Sequence, residues 1–168
     1  MEFSILQRDI HAAFDGPRGY VWKITNCFGW KPERYPNWIG RHGGCFCMMD
    51  AKTGQIVLLT FVGPVPEEKK AKYFAFAQEK AKRLFEHPEH LTSEESKNDD
   101  LQQYGGAIRG RRYIYSFSGL PANGDSLVSL KIGTTVERLG VRRQRKIAKL
   151  AGATELVTEF SEFEKRVP

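Results

Sequence analysis

Two apolar runs joined by a short loop constrain the fold of this chain more than any other feature of its sequence. The runs are Cys45–Met49 and Gln55–Val62, and the loop between them ends in Gly54, where a left-handed backbone conformation is needed. Two strands joined by so short a loop lie side by side and run in opposite directions. The sequence therefore predicts a β-hairpin at this point of the chain.

Further strands and helices are predicted from the spacing of apolar residues and from the turn residues between them. The strands cover 20–28, 105–108 and 112–118. The helices cover 2–14, 66–85, 125–136 and 141–150. Gly16-Pro17 is expected to end the first helix, because proline lacks the backbone N–H that a helix interior uses. Strands joined by short turns, with helices in separate blocks, indicate an α+β domain with an antiparallel sheet.

The composition limits the class of protein. The chain has 168 residues, the size of one domain, so we treat 1–168 as a single unit. Its apolar runs are too short to span a membrane, and charges interrupt the N-terminal segment where a secretory signal would be apolar. The three cysteines, an odd number, suit a reducing compartment. These features predict a cytoplasmic protein with no membrane partner.

Few residues carry an obvious chemistry. Cys45 and Cys47 lie two positions apart on a predicted strand and share one face, where we expect them to pack in the core. His87 and His90 flank the end of a predicted helix, where a histidine either caps the helix or binds haem iron or zinc. The sequence contains no nucleophile elbow, phosphate-binding loop or zinc-protease motif. We therefore assign no metal site and leave open whether the protein is an enzyme.

Several stretches together resemble a known family. They are Met49–Val57, then Ala77–Phe85 with its Ala-x-x-Lys-Ala pattern, then Gly105–Ile108, and last Ser118–Asp125, which begins Ser-Gly-Leu-Pro. In this order and spacing they resemble the GlcG/HbpS-like family. Its members are described as haem-degrading or haem-binding, and a PduO-type corrinoid adenosyltransferase carries such a domain at its C-terminus.

The resemblance covers 45–139 and leaves 20–44 and 140–168 outside. It implies a profilin-like fold, an antiparallel sheet with helices packed on it, in agreement with the α+β architecture above. It also implies a small-ligand-binding protein with haem as the first candidate. Haem needs an apolar slot, an axial ligand and cations for its propionates. The candidate binding residues are Tyr104, Arg109, Arg111, His87 and His90.

A second interpretation is a non-catalytic oligomeric scaffold or partner-docking module. Aromatic residues are favoured at the centres of protein interfaces. A group of them lies in and near the segment without family resemblance: Trp22, Trp30, Tyr35 and Trp38. Because members of the resembled family tend to assemble, we expect a homo-oligomer.

The net charge of +6 raises nucleic acid as a third possible partner. Much of the excess lies in 138–149, which reads RLGVRRQRKIAK. No nucleic-acid-binding motif accompanies these cations, and the glutamates of the tail offer them partners. Those glutamates are Glu155, Glu159, Glu162 and Glu164. We therefore consider nucleic acid an improbable partner and expect at most weak, non-specific binding.

Overall fold

The structure is a computed structural model that describes residues 2–29 and 31–167. The helices in this part of the chain are α1 (Glu2–Gly29), α2 (Glu67–Glu86), α3 (Ala122–Glu137), α4 (Val141–Leu150) and α5 (Thr154–Glu164). The strands are β1 (Gly44–Asp50), β2 (Ile56–Val62), β3 (Ala107–Arg109) and β4 (Tyr113–Ser118).

The four strands form one antiparallel sheet in the order β2-β1-β4-β3. The predicted central hairpin is confirmed as β1 and β2. Its loop is closed by Asp50, whose side-chain oxygen accepts the backbone N–H groups of Lys52 and Thr53, and Gly54 has the expected positive φ of 72°. The second predicted strand pair is confirmed as β3 and β4.

Helices cover both faces of the sheet. Side chains of β1 alternate between the faces, so Cys45 and Cys47 pack against α2, while Phe46 and Met48 pack into the larger core that α1 and α3 complete. Burial raises the pKa of both cysteine thiols to about 12, as expected for core residues. The predicted α+β class, an antiparallel sheet with helices packed on it, is confirmed.

Residues 2–29 differ from the sequence prediction. The predicted strand over 20–28 is wrong, because helix α1 continues through Pro17 to Gly29. Buried residues at helical spacing extend across the proline, from Ala13 through Val21 and Ile24 to Phe28. Burial of this continuous apolar stripe outweighs the helix-breaking effect of proline, which costs about 3 kcal/mol.

The aromatic residues of the N-terminal region fall into different environments. Trp38 is buried with its ring 4.9 Å from that of Phe28, and Tyr35 meets the edge of the same phenylalanine. Trp22 is exposed on α1. Trp30 lies outside the described residues. Two of the aromatic residues considered for an interface therefore pack within the domain.

The C-terminal helices α4 and α5 pack against the core. Helix α4 buries Ile147 and Ala148, and α5 buries Leu156 and Phe160 against the core.

The described helices include none with the length and apolar character needed to cross a bilayer.

Candidate ligand-binding site

A cavity of about 390 Å³ opens between α2 and the turn that joins β4 to α3. Its volume lies within the range of roughly 300–1,000 Å³ typical of small-molecule sites. Helix α2 contributes one wall, the turn contributes a second, and two loops close the ends. The charged and aromatic lining residues are Arg41, Lys69, Lys72, Tyr73, Phe76, Lys80, Tyr104 and Asp125.

A buried ion pair forms the floor of this cavity. The ammonium of Lys80 lies 2.8 Å from Asp125 Oδ2 and also donates a hydrogen bond to the carbonyl of Phe117 at 3.0 Å. Both charged side chains are only 3% exposed. The second carboxylate oxygen of Asp125 accepts the N–H of Leu120 at 2.8 Å. The pair therefore connects α2, β4 and the start of α3.

The floor requires a glycine beside it. Gly106 has a φ of 125°, and a Cβ added there would lie 2.7 Å from the Cβ of Asp125 and 2.8 Å from the Lys80 ammonium. Any side chain at this position would displace the ion pair. Burial raises the pKa of Asp125 to about 6, even though the nearby Lys80 ammonium opposes this change.

The mouth of the cavity is cationic and aromatic. Lys69 and Lys72 are exposed, and neither forms an ion pair within the described part of the chain. The rings of Phe76 and Tyr104 meet edge to face with centroids 5.5 Å apart, and the Lys72 ammonium lies 5.5 Å from the Phe76 ring centre. Since Asp125 is neutralised by Lys80, these lysines give the mouth a positive charge that favours an anionic ligand.

The residues selected from the sequence do not all lie together. Tyr104 lines the cavity beside α2, whereas Arg109 and Arg111 line a separate surface cavity near the first hairpin loop. His87 and His90 lie in the turn that follows α2 and line neither cavity. The five residues thus occupy three places on the molecule.

The five residues selected for haem do not form one haem site. The Arg109 guanidinium donates hydrogen bonds to the backbone carbonyls of Leu84, His87 and His90, so it already holds the turn after α2. The cavity that contains Tyr104 has a charged floor instead of an apolar one, and the histidines lie elsewhere. The five residues selected for haem are therefore not brought to one site.

Sequence reasoning did not select the residues that build the floor. Lys80 lies in the Ala-x-x-Lys-Ala pattern, Gly106 in the glycine pair, and Asp125 at the end of the Ser-Gly-Leu-Pro stretch. Each belongs to a stretch that resembles the family, and the sequence alone gives none of them a role in a site. The feature of the sequence that could have indicated a shared site is that all three stretches occur together in one chain.

No protein-family model, no curated protein and no solved structure matches this chain. What the chain binds is therefore inferred from the chemistry of its cavity.

Proposed function

We propose that this chain is a GlcG/HbpS-like module that binds a small anionic ligand with a flat apolar part in the cavity beside α2. The observation that carries the proposal is the convergence of three separate motifs on one site. Lys80, Gly106 and Asp125 come from three of the stretches that resemble the family, and they meet at the cavity floor. Packing alone gives no reason for a buried ion pair to form the base of a cavity with a cationic mouth.

The lining suggests how such a ligand would be held. The ammonium groups of Lys69 and Lys72 suit a carboxylate or phosphate, and the Phe76 and Tyr104 rings suit a planar apolar group beside it. Lys80 is already committed to Asp125 and to a backbone carbonyl, so it supports the floor and does not bind the anion. The exposed Lys69 and Lys72 would therefore be the residues that recognise the negative charge of the ligand.

Calorimetric titration with 2-naphthoate, an aromatic carboxylate, tests the proposal. We expect saturable binding to the full chain and a loss of about tenfold or more for Lys69→Gln/Lys72→Gln, because charge-assisted hydrogen bonds contribute roughly 1.5–3 kcal/mol each. The matched control is Lys146→Gln/Lys149→Gln on α4, which removes the same charge from another exposed surface. No binding, or an equal loss in both variants, would contradict the proposal.

Haemin serves as a second probe in the same experiment. We expect no Soret shift that depends on the histidines after α2. A shift that disappears in His87→Ala/His90→Ala would overturn the assignment of the ligand to the cavity beside α2.

A specific feature also favours a second function, assembly of identical copies. Strand β2 is an edge of the sheet, carries no charged residue, and exposes Ile56 and Phe61, with Phe74 of α2 beside Phe61. Edge strands of soluble proteins usually carry charges, prolines or bulges that prevent pairing. The register of β2 shifts once, at Val57 near its start, and the strand pairs regularly over 58–62 without a charge or a proline. We propose that β2 pairs with the β2 strand of a second copy.

Light scattering on the intact chain tests this second proposal. We expect twice the monomer mass of 19.2 kDa, reduced to the monomer by Phe61→Lys. Phe14→Lys, on an exposed position of α1, is the matched control and should leave the dimer intact. A monomer at high concentration, or a dimer unaffected by Phe61→Lys, would exclude pairing through β2.

A further inference from the structure

The turn that follows α2 is held rigidly. It contains His87, Pro88, Glu89 and His90, and the N–H of His90 donates to the carbonyl of His87 at 3.0 Å. Proline at the second position fixes φ for such a turn. Arg109 of β3 donates to the carbonyls of both histidines, at 3.2 Å and 3.0 Å, so the ends of the turn are tied to the sheet.

Three side chains of this turn hold metal-binding atoms close together. Glu89 Oε1 lies 3.2 Å from His87 Nδ1 and 3.4 Å from His90 Nε2, and all three atoms lie within 4.8 Å of one another. In a tetrahedral site with metal–ligand bonds of about 2.0–2.1 Å, neighbouring ligand atoms are roughly 3.3 Å apart. Two of the three separations therefore already match such a site.

The surroundings permit a cation to enter. The side chains of His87 and Glu89 are 45% and 62% exposed, whereas that of His90 is 21% exposed. Within the described residues, Glu89 forms ion pairs only with the two histidines, and the nearby Arg109 guanidinium interacts with it through charge alone while donating its hydrogen bonds to backbone carbonyls. The carboxylate therefore has no lysine or arginine as a competing partner. The rings of His87 and His90 are stacked, with centroids 4.9 Å apart and 15° between their planes, so the exposed His87 ring must turn before both nitrogens can face one ion.

We propose that His87, Glu89 and His90 form a zinc-binding site with two imidazole nitrogens and one carboxylate oxygen as ligands. Three protein ligands leave the fourth tetrahedral position to water, as in zinc sites that act on a substrate. The alternative is a cluster in which Glu89 only accepts hydrogen bonds from the histidines. The site is built from other residues than the cavity beside α2, so it stands independently of the ligand proposed there.

The test is calorimetric titration of the metal-free full chain with Zn²⁺ alone. We expect one Zn²⁺ per chain, with an affinity lowered at least about tenfold by His87→Ala and by Glu89→Gln. The matched control is His11→Ala/His42→Ala, which removes the two other histidines, both exposed, and should leave the affinity unchanged. His87 is half-exposed, so its replacement should not impair folding, and circular dichroism verifies this.

Nuclear magnetic resonance of the histidine ring signals gives a second readout without any substitution. Zn²⁺ should shift the signals of two histidines and leave the other two in place. Absence of saturable binding, or binding that is unchanged in His87→Ala and Glu89→Gln, would overturn the proposal. Shifts confined to His11 and His42 would also overturn it.

Discussion

Lys80 of α2 and Asp125 of α3 place opposite charges 2.8 Å apart in the interior, although 45 residues separate them in the chain. A charge withdrawn from water is costly unless a partner and hydrogen bonds compensate it. Here each of the two charged groups has an oppositely charged partner and a hydrogen bond to the backbone. The relationship fixes the position of α2 relative to the start of α3.

The first prediction concerns the stability that depends on this pair. Lys80→Met leaves the Asp125 carboxylate buried without its counter-charge, and we expect a loss of about 3–5 kcal/mol in the free energy of unfolding. Adding Asp125→Leu should recover much of that loss, since an apolar pair carries no buried charge. Urea denaturation measures both changes. Lys82→Met, which removes an exposed lysine of the same helix, should change stability by less than about 1 kcal/mol.

The second prediction concerns pH. Burial raises the pKa of Asp125 from 3.8 to about 6 in the folded protein. Between these values the folded state binds a proton more tightly than the unfolded state, so this group adds stability as the pH falls from about 6 to about 4. Asp125→Asn removes the group. The unfolding free energy of the wild type minus that of the variant should therefore rise as the pH falls through this window.

Denaturant titrations at several pH values in this window provide the measurement. All other carboxylates are shared by the two proteins, so their contributions cancel in the difference. A difference that is independent of pH, or that falls with decreasing pH, would contradict the raised pKa of Asp125.

The third prediction concerns Glu137 at the end of α3. Its buried carboxylate accepts the N–H groups of Arg111 and Arg112, at 2.8 and 2.9 Å, and the hydroxyl of Tyr115 at 2.9 Å. Tyr115→Phe removes one of these hydrogen bonds to a charged group, and we expect a loss of about 1.5–3 kcal/mol. Thermal or urea unfolding measures it. Tyr104→Phe is the control, because the Tyr104 hydroxyl has no hydrogen-bond partner among the described residues.

The fourth prediction concerns the cations of α4. The interpretation that the tail glutamates neutralise them is wrong, because each of these glutamates forms its ion pair outside α4. The pairs are Glu155 with Arg34, Glu159 with Lys31 and Arg34, Glu162 with Lys165, and Glu164 with Lys131. The exposed residues of α4 without an ion pair in the described structure are Arg142, Arg145, Lys146 and Lys149. We still expect weak binding to oligonucleotides, with no preference for sequence, because the sequence contains no recognised motif for contacts to bases.

A salt series on immobilised oligonucleotides measures this binding. Arg142→Glu/Arg145→Glu should weaken retention and lower the dependence of log K on log salt by about 2 for duplex DNA. Arg18→Glu/Lys52→Glu changes the net charge equally at exposed positions away from α4 and serves as the control. Tight binding at physiological salt would contradict the expectation.

The elements whose signals are local were predictable from the sequence. The hairpin of β1 and β2 was predicted because its turn residues and apolar runs are adjacent, and α2 because its apolar spacing is regular. The continuation of α1 beyond Pro17 was not predictable in this way, since Pro17 and its neighbouring glycines are local signals of a helix end that burial in the folded protein outweighs. Here the apolar spacing from Ala13 to Phe28 was the better guide.

The candidate site was harder to predict, because its residues come from distant parts of the chain. Arg41, Lys69, Tyr104 and Asp125 belong to four separate segments that only the folded sheet brings together. Tyr104, selected as a ligand-binding residue, lines this cavity. Arg109 was selected for its charge, and the backbone carbonyls that occupy its guanidinium give no signal in the sequence.

The residues at the floor of the cavity stabilise the fold, whereas those proposed to recognise a ligand lie at its mouth. Since Lys80 and Asp125 satisfy each other, a ligand of the proposed kind would meet unpaired charge only at the mouth, on exposed side chains that the core does not need. On this proposal, substitutions at Lys69 and Lys72 would change the charge of the molecules that the cavity accepts while the scaffold keeps its stability. The same architecture lets descendants of one chain diverge in the molecules that they bind and still fold alike.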